Sequence, residues 1–425
     1  MVNDFSPLIV FFFMAKLKPF KAIRPTRDKV HLVATRPVYT YKNSVLKAKL
    51  ETNPYSFIHI INPEFGEIVK TRPNSRERFL NVKKEFDNFC DLGILVQDPT
   101  ETLYLYQQTK DNHAYLGIIA GASVAEYNQD LIKKHEATLT SREAMFTDYL
   151  DIVGFNAEPV LLSYPHNETL ENLYTEISKE RPEFEFSTTD MIKHELWTLS
   201  ASQTDAVLKA FEAIPASYIA DGHHRSASSA RLAEIIEKRG ETPKGENHHY
   251  FLAFLIDENR LNILEFNRLV KTLNGLTTKQ FLARLADSFE INELAGARKP
   301  AHEHQITMNL KNVWYSLTCK ANIVHEEHPV SCLDPEILTQ EILTPILGIE
   351  DLKTDQNIEF ISGNLGLDAI SKPIQAGKSE VGFVLFPLNM SQVKRVADHQ
   401  MIMPPKSTWV EPKMRSGLTI YNIKE

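Results

Sequence analysis

The sequence is poor in cysteine: Cys90, Cys319 and Cys332 are its only three, and they lie far apart. No CxxC pair occurs, so the sequence predicts neither a cysteine zinc site nor a disulfide framework. Few and scattered thiols are typical of a reducing compartment, and we therefore expect a cytoplasmic protein.

A long hydrophobic run is also missing. The most apolar stretch, Pro7 to Phe13, is well short of the roughly 20 residues that cross a bilayer. A secretory signal is not predicted either, because Asp4 stands where positive charge is expected and no small-residue cleavage pattern follows. We expect no membrane partner and a non-structural extension over residues 1–13, with translation starting at Met1 or Met14. A targeting segment is the alternative.

There is no excess of positive charge. Lys and Arg total 47 against 55 Asp and Glu, which gives a net charge of −8. A basic surface suited to duplex nucleic acid is therefore not predicted. The patterns GxxxxGK[ST], GxGxxG, GxSxG and HExxH are absent as well, which argues against P-loop, Rossmann, α/β-hydrolase and zincin chemistry.

What the sequence does contain is an ordinary globular composition, 43% apolar and 24% charged over 425 residues. At roughly 150 residues per domain, this length predicts two or three packing units. Strand and helix patterns are mixed along the chain, which indicates an α+β fold around a mixed sheet. We expect a core region over residues 14–293, a linker over 294–304 and a smaller C-terminal α/β region over 305–425.

Several elements can be predicted from periodicity and turn residues. The run from Ser56 to Glu64 is expected to be a strand, and apolar spacing after Ser75 predicts a helix. The runs HYFLAFLID and NILEFNRLV predict two buried strands joined by a turn at residues 257–260. A hairpin is expected to turn at Lys311 and Asn312.

The sharpest motif is Asp221-Gly222-His223-His224-Arg225, between a small-residue strand and a predicted helix. The first N–H groups of a helix have no acceptor within the helix, and the helix dipole is positive there, so such a junction favours an anion. Arg225 can grip a phosphate and the histidines can move protons. The alternative is an Asp221 helix cap with structural histidines. Adjacent histidines point in different directions on a helix, so no metal site is predicted.

Two further clusters carry positive charge. Lys133 and Lys134 precede His135 and Glu136. A carboxylate among cations stays ionised, which suits a base or a metal ligand, while the lysines can neutralise phosphate. The alternative is a solvated surface turn. The second cluster has cationic and hydroxyl groups on a Pro-rich loop, and its alternative is an ordinary entry to an edge strand. Its candidate phosphate-binding residues are Lys406, Ser407, Thr408 and Arg415.

Seven segments together resemble the prokaryotic family known as domain of unknown function 1015. They are KPFKAIRP, NPYSFIHIINPE, IKKHE, NAEPV, YIADGHHR, FNRLVKTLNGL and MPPKSTWVEPKMRSGL. The DGHHR junction is further similar to that of the ParB/sulfiredoxin superfamily, which includes free-serine kinases. This resemblance implies a ParB/sulfiredoxin-like core with a nucleotide-phosphate pocket at Asp221 to Arg225. The chain differs from the family pattern at Arg36 to Tyr39 and at Met145-Phe146.

From the motif and the resemblance together, we expect a nucleotide-dependent phosphotransferase that acts on a small hydroxy metabolite such as free serine. ATP or ADP would be the donor, Mg²⁺ would neutralise charge, and Glu136, His223 and His224 would be catalytic. The alternative is a non-catalytic, CTPase-like regulator that binds nucleotide. The expected partners are nucleotide and a small-molecule substrate, without nucleic acid.

Overall fold

The computed structural model describes residues 15–240 and 245–425. The predicted extension over residues 1–13 and the candidate start at Met14 lie outside these described residues. Strands and helices are numbered below in chain order.

The strands of the described residues are β1 Leu17–Lys18, β2 Ile23–Pro25, β3 Leu95–Gln97, β4 Tyr104–Lys110, β5 His113–Ser123, β6 Ile132–Lys133, β7 Phe155–Asn156, β8 Val160–Tyr164, β9 Phe184–Ser187, β10 Lys193–Thr198, β11 Ser217–Asp221, β12 Tyr250–Asp257, β13 Asn262–Val270, β14 Phe289–Leu294, β15 Gln305–Leu310, β16 Val313–Cys319, β17 Ile358–Ser362, β18 Val381–Val384, β19 Thr408–Glu411 and β20 Tyr421–Asn422.

The α-helices of the described residues are α1 Val30–Val33, α2 Asn43–Thr52, α3 Phe57–Ile61, α4 Arg76–Asp91, α5 Val124–Asn128, α6 Thr140–Val153, α7 Glu168–Ile177, α8 Ala201–Phe211, α9 His223–Lys238, α10 Thr278–Leu285, α11 Asp334–Leu338, α12 Asp368–Gln375 and α13 Met390–Asp398. A π-helical turn, Thr339–Leu343, continues α11.

The chain forms two compact units, and both are discontinuous in sequence. Of the described residues, the first unit combines 15–133, 138–240, 245–261 and 412–425, and the second combines 134–137 and 262–411. The predicted linker over residues 294–304 lies inside the second unit, where it connects β14 to β15.

The first unit is built on a nine-stranded mixed sheet. Its order is β6-β11-β8-β12-β5-β4-β10-β9, and β1 pairs with β5. Strand β12 runs parallel to β8 and antiparallel to β5, and β11 runs parallel to β6 and antiparallel to β8. The predicted mixed sheet with α+β content is therefore confirmed. Strand β11, which leads into the candidate site, is second from one edge.

Helix α9 follows β11 and packs on β8, β12, α5 and α6. Its inward residues are mostly small, including Ala227, Ala230 and Ala233, all buried. Small side chains allow the helix backbone to approach the sheet closely, which fixes the position of its first turn at the end of β11.

The second unit has a seven-stranded sheet of order β14-β16-β15-β18-β13-β17, with β19 on the first half of β13. Every pairing in it is antiparallel. The predicted hairpin is confirmed, because Leu310 pairs with Val313 and both Lys311 and Asn312 have positive φ, as a tight hairpin turn requires.

One prediction for the elements is wrong. The run after Ser56 is the short helix α3, because the Ser56 side chain accepts the N–H of Ile58 and caps a helical turn. The prediction for the runs HYFLAFLID and NILEFNRLV is confirmed, because they are strands β12 and β13 joined by a turn. The two strands belong to different sheets. β13 pairs with β17, β18 and β19 instead, so the turn after Asp257 carries the chain from the first unit to the second.

Within residues 15–240 and 245–425, none of the helices combines the length and the hydrophobicity that crossing a lipid bilayer requires.

Candidate functional site

The candidate site in the first unit is the junction between β11 and α9. β11 ends at Asp221, Gly222 has φ +110° and ψ 27°, and α9 begins at His223. The Gly222 carbonyl accepts the N–H of Arg225 at 2.8 Å and that of Ser226 at 3.1 Å. A left-handed residue is needed to turn from strand to helix within one position, and glycine adopts it without steric cost.

Space is the second reason for glycine here. A Cβ at Gly222 would lie 3.0 Å from both Nε and Nη2 of Arg225. The guanidinium therefore lies directly against the turn. Together with the positive end of the 16-residue helix α9, this creates a corner whose electrostatics favour an anion.

Asp221 is ion-paired at this corner. Lys413 Nζ donates to Asp221 Oδ2 at 2.9 Å, and Arg225 Nη2 lies 3.9 Å from Oδ1. Burial alone would raise the pKa of Asp221, but Lys413 and Arg225 outweigh it and hold that pKa below its ordinary value. Asp221 therefore stays ionised near neutral pH and is a poor proton acceptor.

Arg225 is held by a carboxylate that the sequence analysis did not single out. Its Nη1 donates to Glu158 Oε1 at 2.5 Å and to the Pro159 carbonyl at 2.8 Å, and Ser416 Oγ donates to Glu158 Oε2 at 3.0 Å. Arg225, the predicted phosphate ligand, therefore also forms an ion pair and a hydrogen bond within the protein. The sequence indicates Glu158 only through its position, as a charged residue just before the buried strand β8.

The two histidines occupy the first turn of α9. His223 is buried, with 5% of its surface exposed, and His224 is half-buried. Their carbonyls accept the hydroxyls of Ser226 at 3.0 Å and Ser228 at 2.7 Å, which tightens the turn. The catalytic roles predicted for these imidazoles stay predictions.

Two other predicted phosphate ligands belong to the same unit. Lys133 lies in β6 opposite Tyr218 of β11, and its Nζ is 3.6 Å from Asp130 Oδ2. Arg415 is almost fully buried, with its Nη2 3.0 Å from Asp190 Oδ2 and 3.2 Å from Thr188 Oγ1. Arg415 is thus committed to an internal carboxylate.

The remaining predicted residues belong to the second unit. Lys134 and Glu136 lie in its short segment 134–137. Lys406 Nζ lies 5.4 Å from the centre of the Phe266 ring, and the buried Ser407 hydroxyl donates to the Pro404 carbonyl at 2.8 Å. Thr408 begins β19. The structure therefore brings Lys133, the junction and Arg415 into one unit, and Lys134, Glu136 and residues 406–408 into the other.

A cavity of about 390 Å³ opens beside Arg225 within the first unit. Helices α3, α4, α6 and α9 and strands β7, β8 and β12 all contribute to its wall. The wall is rich in aromatic rings, which come from Phe57, Phe79, Phe146, Tyr149, Phe155 and Phe251. Sequence reasoning missed this cavity because these rings come from separate elements.

The junction offers a poor fit for the predicted Mg²⁺. In the first unit its two carboxylates are Asp221 and Glu158, and each already neutralises a cation of the protein. A divalent cation would have to displace Lys413 or Arg225 to be coordinated there. We assign no Mg²⁺ ligand to either carboxylate.

A family described as protein of unknown function (DUF1015) matches residues 17–336. No curated protein matches this chain.

Several solved structures are similar to this chain at low identity. A free serine kinase in complex with AMP is 12% identical, with 71% of this chain and 91% of the kinase covered and a TM-score of 0.35. C-terminally truncated SbnI from Staphylococcus aureus is 13% identical, with 69% and 82% covered and a TM-score of 0.37. A conserved hypothetical protein from Pyrococcus furiosus is 13% identical, with 71% and 95% covered and a TM-score of 0.34. At these values the similarity does not extend to what those proteins bind.

Proposed function

Since the chain belongs to the family described as protein of unknown function (DUF1015), we propose its function from the junction between β11 and α9. We propose that this junction binds the phosphates of ATP or ADP. The protein would then be a phosphotransferase that acts on a small hydroxy metabolite such as free serine.

The observation that carries the proposal is the Gly222 turn. A left-handed glycine follows β11, and the Arg225 guanidinium lies against it. Lys413 donates a hydrogen bond to Asp221, the residue before this glycine. Strand-glycine-helix turns present oriented dipoles to phosphate, and neighbouring cations add charge-assisted hydrogen bonds. The resemblance of the DGHHR motif to nucleotide-binding proteins points to the same ligand.

Within this proposal the side chains have separate tasks. Lys413 contacts phosphate directly, and Asp221 positions the Lys413 side chain. Glu158 fixes Arg225 so that its guanidinium keeps one orientation beside the turn. His223 and His224 would transfer protons, and Glu136 would accept the proton of the attacking hydroxyl. These last assignments come from the sequence alone.

The first experiment measures nucleotide binding by titration calorimetry with ADP and ATP. Lys413→Met should weaken binding about 10- to 100-fold, because a charge-assisted hydrogen bond contributes roughly 1.5–3 kcal/mol. Lys413→Arg should retain most of the affinity. Lys209→Met removes an exposed lysine of α8 and is the matched control, which should bind as the wild type does. Absence of nucleotide binding in the wild type would overturn the proposal.

The second experiment asks whether chemistry follows binding. The protein is incubated with ATP or ADP and a series of hydroxy acids that includes serine, and ³¹P NMR detects a new phosphomonoester. Glu136→Gln should abolish that product while nucleotide affinity stays within about twofold. A Glu136→Gln variant with full turnover would exclude Glu136 as the base.

One observation favours a second candidate, a non-catalytic nucleotide-binding regulator. Both carboxylates of the junction, Asp221 and Glu158, are ion-paired, and the pKa of Asp221 is lowered, so neither is suited to deprotonate a hydroxyl. Nucleotide binding without any phosphomonoester would support this candidate over the enzyme.

A further inference from the structure

The wall of the cavity beside Arg225 has buried and half-buried parts. Phe79, Phe155 and Phe251 are buried on its wall. Met145 and Phe146 of α6 also line it but are only half-buried. The wall therefore combines buried rings with apolar side chains that are partly exposed.

The charged side chains of the wall are already neutralised by the protein. Arg78 Nη1 lies 2.6 Å from Glu64 Oε2, and Arg225 Nη1 lies 2.5 Å from Glu158 Oε1. A guest with a net charge would meet opposite and like charges at the same pair, so its desolvation would not be offset.

Three polar side chains of the wall are already hydrogen-bonded within the protein. Ser416 Oγ donates to Glu158, Ser228 Oγ donates to the His224 carbonyl at 2.7 Å, and Asn156 Oδ1 accepts the Leu252 N–H at 3.3 Å. A strongly polar guest would lose its hydration and find few replacement hydrogen bonds.

We propose that this cavity is a binding site for a neutral small molecule with an aromatic body and one weakly polar group. Its rings would pack against the phenylalanines, and the polar group would lie at the end lined by Glu158 and Ser416. The cavity belongs to the first unit alone and shares Arg225 and Glu158 with the junction. The proposed ligand does not require nucleotide to bind at the junction.

The volume supports that class of ligand. About 390 Å³ falls at the lower end of the range of roughly 300–1,000 Å³ for small-molecule pockets. An apolar cavity of roughly 150 Å³ already binds benzene in another protein. A fused two-ring compound with a substituent is therefore of suitable size here.

The test uses indole as the probe and methyl NMR of the full chain labelled at methionine. Met145 lines the cavity, so its methyl signal, assigned by Met145→Leu, should shift saturably through the ring current of bound indole. The exposed Met191 and the buried Met414 belong to the same unit and should not shift. myo-Inositol, which is polar and of similar size, should leave all three signals in place.

A matched pair of variants locates the site. Ala157→Phe fills the cavity from its wall and should weaken indole binding at least tenfold. Ala144→Phe makes the same change at a half-buried position of α6 outside the wall and should bind indole within twofold of the wild type. If Ala157→Phe does not fold, Ser229→Leu fills the same space from α9.

The proposal is overturned if indole leaves the Met145 signal unmoved, or if myo-inositol shifts it equally. It is also overturned if a folded filling variant binds indole as the wild type does, or if Ala144→Phe loses binding to the same extent. Failure of ADP to bind in the calorimetric experiment would leave this result unchanged, so the two proposals fail separately.

Discussion

Each unit of the molecule contains a glycine directly after a strand, which begins α9 at Gly222 and a three-residue 3₁₀ turn at Gly363, and the two glycines differ in the charge beside them. In the first unit, a Cβ at Gly222 would meet the Arg225 guanidinium at 3.0 Å. In the second unit, Gly363 follows β17, and a Cβ there would meet the Glu265 carboxylate, with the Cδ atom at 2.5 Å. Glu265 is 1% exposed and pairs with Lys299 at 2.8 Å.

This difference shows that a glycine turn does not by itself make a phosphate site. A glycine after a strand supplies space beside the backbone, but neighbouring side chains decide the sign of the local potential. A guanidinium suits an anion at the first turn, whereas a buried carboxylate opposes one at the second. The predictions below test this comparison.

The largest effect is expected from adding a Cβ at either turn. Gly222→Ala and Gly363→Ala should each lower the free energy of unfolding by about 2–3 kcal/mol, because a charged group must move and, at Gly222, a positive φ is strained as well. Gly240→Ala, at the other end of α9, has φ +64° and nothing within 4 Å of the added Cβ. It should cost only about 1 kcal/mol.

Urea denaturation measures the free energy of unfolding of these three variants. Calorimetry with ADP then compares the effect of each turn on nucleotide binding. Folded Gly222→Ala should lose ADP binding, and folded Gly363→Ala should keep it. Equal losses of ADP affinity would show that the two turns do not differ in the way their charges indicate.

The next effect concerns two arginines that differ in their partners. Arg225 has Glu158, whereas the fully buried Arg268 of β13 donates only Nη1, to the Phe266 carbonyl, and its Nε and Nη2 have no hydrogen-bond partner among the described residues. Its guanidinium lies 4.5 Å from the centre of the Phe360 ring. Arg268→Met should therefore raise stability by about 1–2 kcal/mol, because a buried cation without a carboxylate is costly.

Arg225→Met should change stability in the opposite direction, by about 1 kcal/mol, since the Arg225–Glu158 pair is partly exposed and solvent screens it. Arg268→Lys keeps a buried charge and is the control, which should not be stabilised. Thermal melts of Arg268→Met, Arg225→Met and Arg268→Lys measure these changes in stability. A destabilised Arg268→Met would mean that the cation–π and carbonyl contacts outweigh the burial of charge.

The two units should also depend on pH in opposite directions. The folded pKa of Asp221 is lowered, so its contribution to stability is present above its ordinary value of 3.8 and is lost as pH falls through the lowered value. In the second unit, a hydrogen bond to Asp334 outweighs burial and raises the pKa of His304. That contribution is present below 6.5 and is lost as pH rises through the raised value.

Unfolding of Asp221→Asn and His304→Gln, each compared with the wild type from pH 3 to pH 8, measures these dependences. The difference in unfolding free energy between the wild type and Asp221→Asn should decrease as the pH falls. The difference between the wild type and His304→Gln should decrease as the pH rises toward neutral. Gaps that stay constant with pH would show that the two groups do not titrate differently in the folded and unfolded chain.

The smallest effect is expected at Lys133. Its Nζ lies 3.6 Å from Asp130 in a partly exposed pair, so Lys133→Ala should change stability by less than about 0.5 kcal/mol. If Lys133 also contacts phosphate, as the sequence predicts, ADP affinity should fall severalfold in calorimetry. An unchanged affinity would remove Lys133 from the site.

Local sequence predicted much of the first unit. Strands such as β5 and β8 are buried runs of aliphatic, aromatic and small residues, and the DGHHR run marked the turn between β11 and α9 correctly. Helix α3 was missed because its residues are nearly all apolar, so alternation and helical spacing cannot be distinguished over five positions. In this run, only the capping residue Ser56 distinguishes a helix from a strand.

The partners within the site could not be predicted from spacing. Glu158 lies 67 residues before Arg225, and Lys413 lies 192 residues after Asp221. Such pairs are set by the order of strands in the sheet and by the return of the last segment to the first unit, which no local pattern records. The same holds for the strands β12 and β13, adjacent in sequence but placed in different sheets.

That return of residues 412–425 has a consequence for synthesis on the ribosome. Lys413, which holds Asp221, and Ser416, which holds Glu158, are translated only after the whole stretch 262–411. A nascent chain that has emerged as far as β12 therefore carries the turn and α9 but neither of these two supports. The corner around Gly222 is completed among the last events of the protein's assembly.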